Sequence, residues 1–337
     1  MQNQTDKLKG VLYGQAIGDA MGMPGELWPV ERIQQYFGGP ITTFLDGPTT
    51  NEVAINFTKG QYTDDTNQAL VILEALMESN WVPETAVFGK HLLRWADAID
   101  AFDQNILGPS SKAALLALKS GADAHPVTAG ALTNGCAMRI APIGALFDTR
   151  HCQELVDMVC AVTQVTHSSD VAFAGAAMVA GAVTAAMDDL DWDDIVAFAM
   201  TASAAAKDYG VPTWSAAVVA RLQIGLRLAW ENADDPERFA RLIYETVGTG
   251  TTISESVPAA VAIAYYTRDV QQCALFCANL GGDTDTIGAM ATAICGAKNG
   301  YHSILPEWIT LIDEENPEHR LLDYVVPMQS FRNSTLF

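Results

Sequence analysis

Apolar residues return every three to four positions in block after block of this chain, and the elements that this spacing predicts are helices. Leu70, Leu73, Leu76 and Met77 form one such stripe, Ala113, Leu115, Leu116 and Leu118 a second, and Leu155, Val156, Val159 and Val162 a third. Longer apolar runs follow at 171–187, 195–206, 216–230, 239–247, 259–266 and 271–279, separated by short Gly, Pro, Asp and Asn punctuation. No convincing block alternates with a period of two. The one strand feature expected is a small hairpin between about residues 38 and 62, where Ile41, Phe44, Val53, Ile55 and Phe57 are mixed with Gly, Pro and Asn. The pattern predicts an all-α protein. Its many Ala and Gly residues suit a compact multi-helix bundle whose helices surround one cleft.

Composition narrows the picture. The 337 residues exceed the usual size of a single core, yet no linker-like stretch interrupts them. One domain over 1–337 is expected, with a motif-bearing core at about 8–300 and a tail, from Leu305 a capping helix and loop, that carries no motif. With 49% apolar and 18% charged residues, disorder is excluded. Forty acidic against nineteen basic side chains give a formal charge of −21, which repels nucleic-acid polymers and anionic membranes alike. Neither is an expected partner. The run 171–187 approaches membrane-span length, but it is rich in Ala and Gly and runs into Asp188 and Asp189, so a buried core helix is expected. Six cysteines without a C-x-x-C pair read as buried free thiols in a reducing compartment. The polar start carries no secretory pattern, and a cytoplasmic location is expected. Nothing in the sequence reports the number of subunits.

The candidate chemistry sits in two acidic knots, Tyr62-Thr63-Asp64-Asp65-Thr66 and Gly281-Gly282-Asp283-Thr284-Asp285-Thr286. Each precedes a helical stripe, and Asp and Thr are ordinary helix caps. One cap needs one side chain, whereas each knot offers four that bear oxygen. Carboxylates packed this closely repel one another unless a cation or solvent screens them. An all-oxygen set without His or Cys suits a hard divalent cation, and two knots suggest two ions. Gly248-Thr249-Gly250-Thr251-Thr252 lacks the Lys-Ser/Thr ending of a P-loop and reads as a turn. Trp28, Trp214 and Tyr209 can be read as base-stacking residues or as core and rim.

Six motifs occur in order: Gly14 to Pro24 with Glu26 just after, Thr63-Asp64-Asp65-Thr66, Asn134-Gly135-Cys136-Ala137-Met138-Arg139-Ile140-Ala141-Pro142, Thr166-His167-Ser168, Glu255-Ser256-Val257-Pro258, and Gly281 to Thr286. Together they resemble the ADP-ribosylglycohydrolases. The resemblance implies an all-helical fold with a binuclear Mg²⁺ or Mn²⁺ centre, one ion held by Thr63, Asp64, Asp65 and Asp285 and the pair completed by Asp283 and Thr286. It also implies that Glu26, matching a mobile glutamate of some members, is the general base, with Asp65 or Asp283 secondary. Asn134, Gly135 and Met138 lie in a matching loop that cradles a diphosphate, Gly108 and Ser110 in a loop that meets ribose or phosphates, and His167 is a candidate hydrogen-bonding partner of the substrate. The segment 102–110 departs from members acting on ADP-ribosylarginine, which carry an Asp there; only Asp103 and Asn105 are near, and this weighs against an arginine linkage. The activity implied is a Mg²⁺-dependent hydrolase releasing ADP-ribose from a modified side chain or small molecule. Alternatives are a nucleosidase using the same grip on ribose, a catalytically silent ADP-ribose-binding module, a helical structural protein and, last, a two-metal phosphatase.

Overall fold

A computed structural model describes residues 2–104, 106–318 and 320–335, apart from the side chain of Gln2. It holds seventeen α-helices: α1 Gln2–Gly22, α2 Val30–Phe37, α3 Asp64–Glu78, α4 Thr85–Ala98, α5 Pro109–Ser120, α6 His125–Thr128, α7 Ala141–Gly144, α8 Cys152–Thr163 and α9 Asp170–Met187. Then follow α10 Trp192–Lys207, α11 Val218–Glu231, α12 Pro236–Leu242, α13 Ile253–Thr267, α14 Val270–Ala278, α15 Thr284–Asn299, α16 Pro306–Glu315 and α17 Val325–Thr335. Helices cover the predicted stripes, and no strand occurs among the described residues, only three isolated bridges.

The element that organises the site is a seam of small residues between α1 and α15. Gly10, Gly14, Gly18 and Gly22 face Gly296, Thr292, Gly288 and Thr284 in antiparallel order. A Cβ on Gly18 would lie 2.1 Å from the Gly288 carbonyl oxygen, and one on Gly288 would lie 2.4 Å from that of Gly18. The backbones therefore touch, and Thr284 Oγ1 donates across the seam to the Gly22 carbonyl at 2.7 Å. Hydrophobic periodicity misses α1, because its residues from Leu8 to Met21 are buried all round except Lys9. Overpacking a helix contact costs about 1–3 kcal/mol. Gly18→Ala is thus expected to destabilise the fold by roughly that amount, read as a shift of the urea midpoint; an unchanged midpoint would contradict this close approach.

Several boundaries differ from expectation for identifiable reasons. Residues 38–62 form no hairpin: Ile41 and Phe44 are buried singly, and the Asn279 amide takes the part of a strand partner, accepting from Ile41 N and donating to Ile41 O. Pro258 lies inside α13, where its ring removes the N–H that would meet the Ser254 carbonyl. Arg221 Nη1 supplies that bond at 3.2 Å and also reaches the Val247 carbonyl. The 239–247 stripe splits into α12 and a π-helical turn over Ile243–Val247. The tail forms two helices rather than one, and Arg332 of α17 is buried against the Ala145 and Phe147 carbonyls and Asp188. α9 is long and apolar enough to cross a membrane, and all of it is buried inside the protein. Five cysteines are buried and free; Cys152 is half-buried.

Candidate metal centre and its cleft

The glycine seam sets Asp19 of α1 beside the two knots. Asp19 accepts from Thr63 N at 2.9 Å through Oδ1, and from Thr66 N and Thr66 Oγ1 at 3.0 and 2.7 Å through Oδ2. A carboxylate from α1 therefore caps α3, which leaves the carboxylates of the knot itself for other work. Asp283 stands at the N-cap position of α15 and makes no capping bond with its side chain. Its carboxylate instead accepts from the Asn134 amide, which also donates to Ser256 Oγ at 3.0 Å.

Two triads of carboxylates result, Asp19–Asp65–Asp285 and Glu26–Asp283–Asp285, each with ligand atoms within 4.8 Å of one another. Asp285 belongs to both. Asp65, Asp283, Asp285, Thr63 and Thr286 are buried, while Asp64 and Glu26 are half-buried. Asp65 Oδ1 and Asp285 Oδ1 are buried with no hydrogen-bond partner among the described residues. Buried oxygen of this kind is costly unless it is satisfied. Burial, with neighbouring carboxylates, pushes Asp64 up to about 8, and burial outweighs the bonds from Thr66 and Asn134 to hold Asp19 and Asp283 at about 6. Burial and like charge raise Asp65, Asp285 and Glu26 well above the usual carboxylate range. Such a set is strained as anions and fits a divalent cation, which supplies the missing positive charge to hard oxygen donors.

The backbone around the cluster is tied down. Gly281 and Gly282 hold φ of 76° and 84°, and a Cβ on Gly282 would lie 2.3 Å from the Thr249 carbonyl oxygen. Leu27 N donates to Gly282 O at 2.7 Å and Asn51 Nδ2 to Glu26 O at 2.9 Å, so the backbone of Glu26 is strapped to the second knot. The 248–252 segment is a turn that staples two sides of the cleft: Thr249 O accepts from Asp283 N, and Thr251 O from Asn134 N.

Other candidate residues take different places. Gly108 is exposed at the N-cap position of α5 and Ser110 lies in its first turn, while the buried hydroxyl of Ser111 faces Gly135, where a Cβ would approach it to 3.0 Å. Met138 is buried, and its carbonyl accepts from Gln15 Nε2, which also reaches the Asp65 carbonyl. The Asn134 side chain positions Asp283, so replacing it disturbs the acidic cluster as well as any diphosphate contact. His167 is fully buried with both ring nitrogens bonded inside the protein. Asp103 is exposed, and Asn105 lies outside the described residues. Trp28 is buried under Arg32, Tyr209 bonds Asp157, and Trp214 is 90% exposed.

Two residues without an assigned role in the sequence reading lie at the cluster, Asp19 within a triad and Arg139 behind Asp64. Arg139 is buried, donates to Gln68 Oε1 and Thr166 Oγ1 at 2.6 Å each, and lies over the Phe88 ring. Gln68 in turn donates to Asp64 Oδ2 at 2.8 Å. Burial lowers Arg139 to about 10, which leaves it a cation at neutral pH behind the acidic cluster. The available signal was a lone arginine in the otherwise uncharged stretch 136–147. Beside Asp64 and Thr63 opens a cavity of about 420 Å³, walled by Gln61, Asn67, Trp95 and Glu318 and lined by no Lys or Arg among the described residues.

An all-α protein with a buried acidic cleft between helix starts defines the class. The sequence matches the ADP-ribosylglycohydrolase family over residues 1–330, and the chain belongs to that family. It is 43% identical to the uncharacterized protein YegU of Escherichia coli K12, over 93% of each chain. The ADP-ribosylarginine hydrolase Tri1 of Pseudomonas putida is 26% identical, over 91% of this chain and 74% of that one. A solved structure, titled an ADP-ribosylglycohydrolase-related protein complex, shares the fold with a TM-score of 0.67 at 21% identity, covering 98% of this chain and all of the other. Members of the family are hydrolases acting on glycosidic bonds, and their substrates are ADP-ribosylated.

Proposed function

We infer that this chain is a Mg²⁺-dependent hydrolase, with Mn²⁺ an effective substitute, that cleaves the glycosidic bond to ribose and releases ADP-ribose from a modified side chain or small molecule. The observation that carries this reading is the pair of buried carboxylate triads sharing Asp285, with orphaned oxygens on Asp65 and Asp285. Thr63, Asp64, Asp65 and Asp285 would hold one cation, and Asp283 and Thr286 would complete the pair, with Asp19 drawn in from α1. Divalent cations bound there supply Lewis acidity and a template for vicinal ribose hydroxyls. Glu26 is the general base: a half-buried carboxyl with a raised affinity for protons can take one from water at the anomeric carbon. Asp65 and Asp283 stabilise the oxocarbenium-like charge that develops on the sugar.

The cavity beside Asp64 favours keeping a second reading. Amides, an indole and carboxylates without a cation suit a neutral or cationic planar leaving group, which a nucleoside also offers. Chromatography of products with Mg²⁺ or with EDTA, across ADP-ribosylarginine, ADP-ribosylserine, O-acetyl-ADP-ribose and a set of nucleosides, separates the two. ADP-ribose released only with Mg²⁺, and lost in Asp283→Ala, is the expected result. Free base and ribose would make the enzyme a nucleosidase, and silence on every substrate would leave a binding module.

A further inference from the structure

The cation reading above counts Asp64 as a ligand, yet neither carboxylate triad contains it. Asp64 is held instead by two bonds that run back into the core. Arg139 Nη1 donates to Gln68 Oε1 at 2.6 Å, and Gln68 Nε2 donates to Asp64 Oδ2 at 2.8 Å. The polarity of this chain has one solution. A guanidinium can only donate, so the Gln68 atom facing Arg139 is the carbonyl oxygen, and the NH₂ group is left to face Asp64. Arg139 is itself fixed: it is buried, donates to Thr166 Oγ1 through Nη2 and lies over the Phe88 ring. Gln68 is buried as well. The amide is thereby locked with its donor towards Asp64, and Oδ2 can only accept.

Gln68 stands one turn after Asp64 on α3, where an Asp and Gln pair alone would be an ordinary helix contact. Arg139 sets this pair apart, because it decides which end of the amide Asp64 meets. The place of the amide between the two charges matters too. A guanidinium paired directly with Asp64 would be a permanent counter-ion and would compete with a divalent cation for the carboxylate. Gln68 keeps that charge one amide away, and the bond from Arg139 polarises its N–H towards Asp64. We propose that Gln68 is a positioning residue of the cation site: it holds Asp64 by Oδ2 with a neutral donor and leaves Oδ1 as the ligand oxygen, and Arg139 sets the orientation of its amide. The proposal rests on the Mg²⁺ reading above.

Calorimetric titration of the metal-free full chain with Mg²⁺ tests it on wild type, Gln68→Glu, Gln68→Met, Arg139→Met and the double variant Gln68→Met/Arg139→Met. Gln68→Glu is decisive, because Glu keeps the size and the acceptor that Arg139 needs but has no N–H for Asp64. Losing the hydrogen-bond partner of a ligating carboxylate corresponds to roughly a tenfold to hundredfold rise in Kd, and that rise is expected here. Charge alone predicts the opposite sign, since an added carboxylate attracts the cation. Unchanged or tighter Mg²⁺ binding by Gln68→Glu overturns the proposal and leaves the Mg²⁺ reading standing. Arg139→Met removes a positive charge, so charge alone again predicts tighter binding and the proposal weaker binding. The two residues act in series, so the double variant is expected to lose no more than Gln68→Met alone; losses that multiply overturn the part given to Arg139. Where Arg139→Met does not fold by circular dichroism, Gln68→Glu still decides. Wild type that binds no Mg²⁺ at all sinks the Mg²⁺ reading and the proposal with it.

Discussion

Saturating Mg²⁺ is expected to raise the melting temperature of this protein and to remove the fall in its stability with rising pH. Without a cation, the Asp19, Asp64 and Asp283 carboxyls hold protons more tightly than the 3.8 of a free aspartate, chiefly because they are buried. The folded state then binds protons that the unfolded chain has released, so stability is fully present below about pH 4 and is lost as pH rises towards about 8. A bound cation holds the same groups deprotonated, and this slope disappears or reverses. At a hundredfold excess over Kd, binding adds about 2.7 kcal/mol, a rise in Tm of roughly 4 °C for a chain of this size. Asp285→Asn, which breaks both triads at once, is expected to abolish the cation-induced rise while stabilising the cation-free protein near pH 8. Thermal scans in EDTA and in Mg²⁺ from pH 5 to 8 measure this. Identical curves in the two buffers would show that the acidic knots hold no cation.

Glu26→Gln is expected to lower kcat by about 10²- to 10⁴-fold, the usual contribution of a positioned base. Gln keeps the shape and one acceptor oxygen, and the strap of Leu27 and Asn51 to the Glu26 backbone is untouched, so the fold is retained. The wild-type rate should rise with pH as Glu26 loses its proton, and the variant should lack that acidic limb. Cation affinity provides the control. If Glu26→Gln loses metal binding in proportion to activity, Glu26 is a ligand of the Glu26–Asp283–Asp285 triad and not the base.

What was legible in the sequence follows from which interactions are local. The stripes of α3, α5 and α8 were readable because their apolar spacing is a property of one segment, and α9 was readable as an unbroken apolar run. The two knots were readable for the same reason, since their oxygens are contiguous. α1 was not, because a helix buried on every side has no polar face to set a period, and its glycines acquire meaning only against α15. Asp19 capping another helix and Arg139 acting behind Asp64 are likewise tertiary facts. The apolar run at 259–266 starts after Pro258, and α13 extends back through that proline because Arg221 satisfies the carbonyl it frees. The hairpin expected at 38–62 failed because a side chain, Asn279, replaced the neighbouring strand. His167 was singled out through its motif, whereas the bonds of both its ring nitrogens inside the protein are again tertiary facts.

Hydrolysis at the anomeric carbon of ribose is tested most directly by running the reaction in H₂¹⁸O and weighing both products by mass spectrometry. The label is expected in the C1 hydroxyl of the released ADP-ribose, read before the free anomeric position exchanges with solvent, and not in the leaving group, with product formed only with Mg²⁺ present and not with Asp283→Ala. Label in the leaving group, or ADP-ribose formed equally well in EDTA, would contradict attack by water on ribose within this acidic cleft.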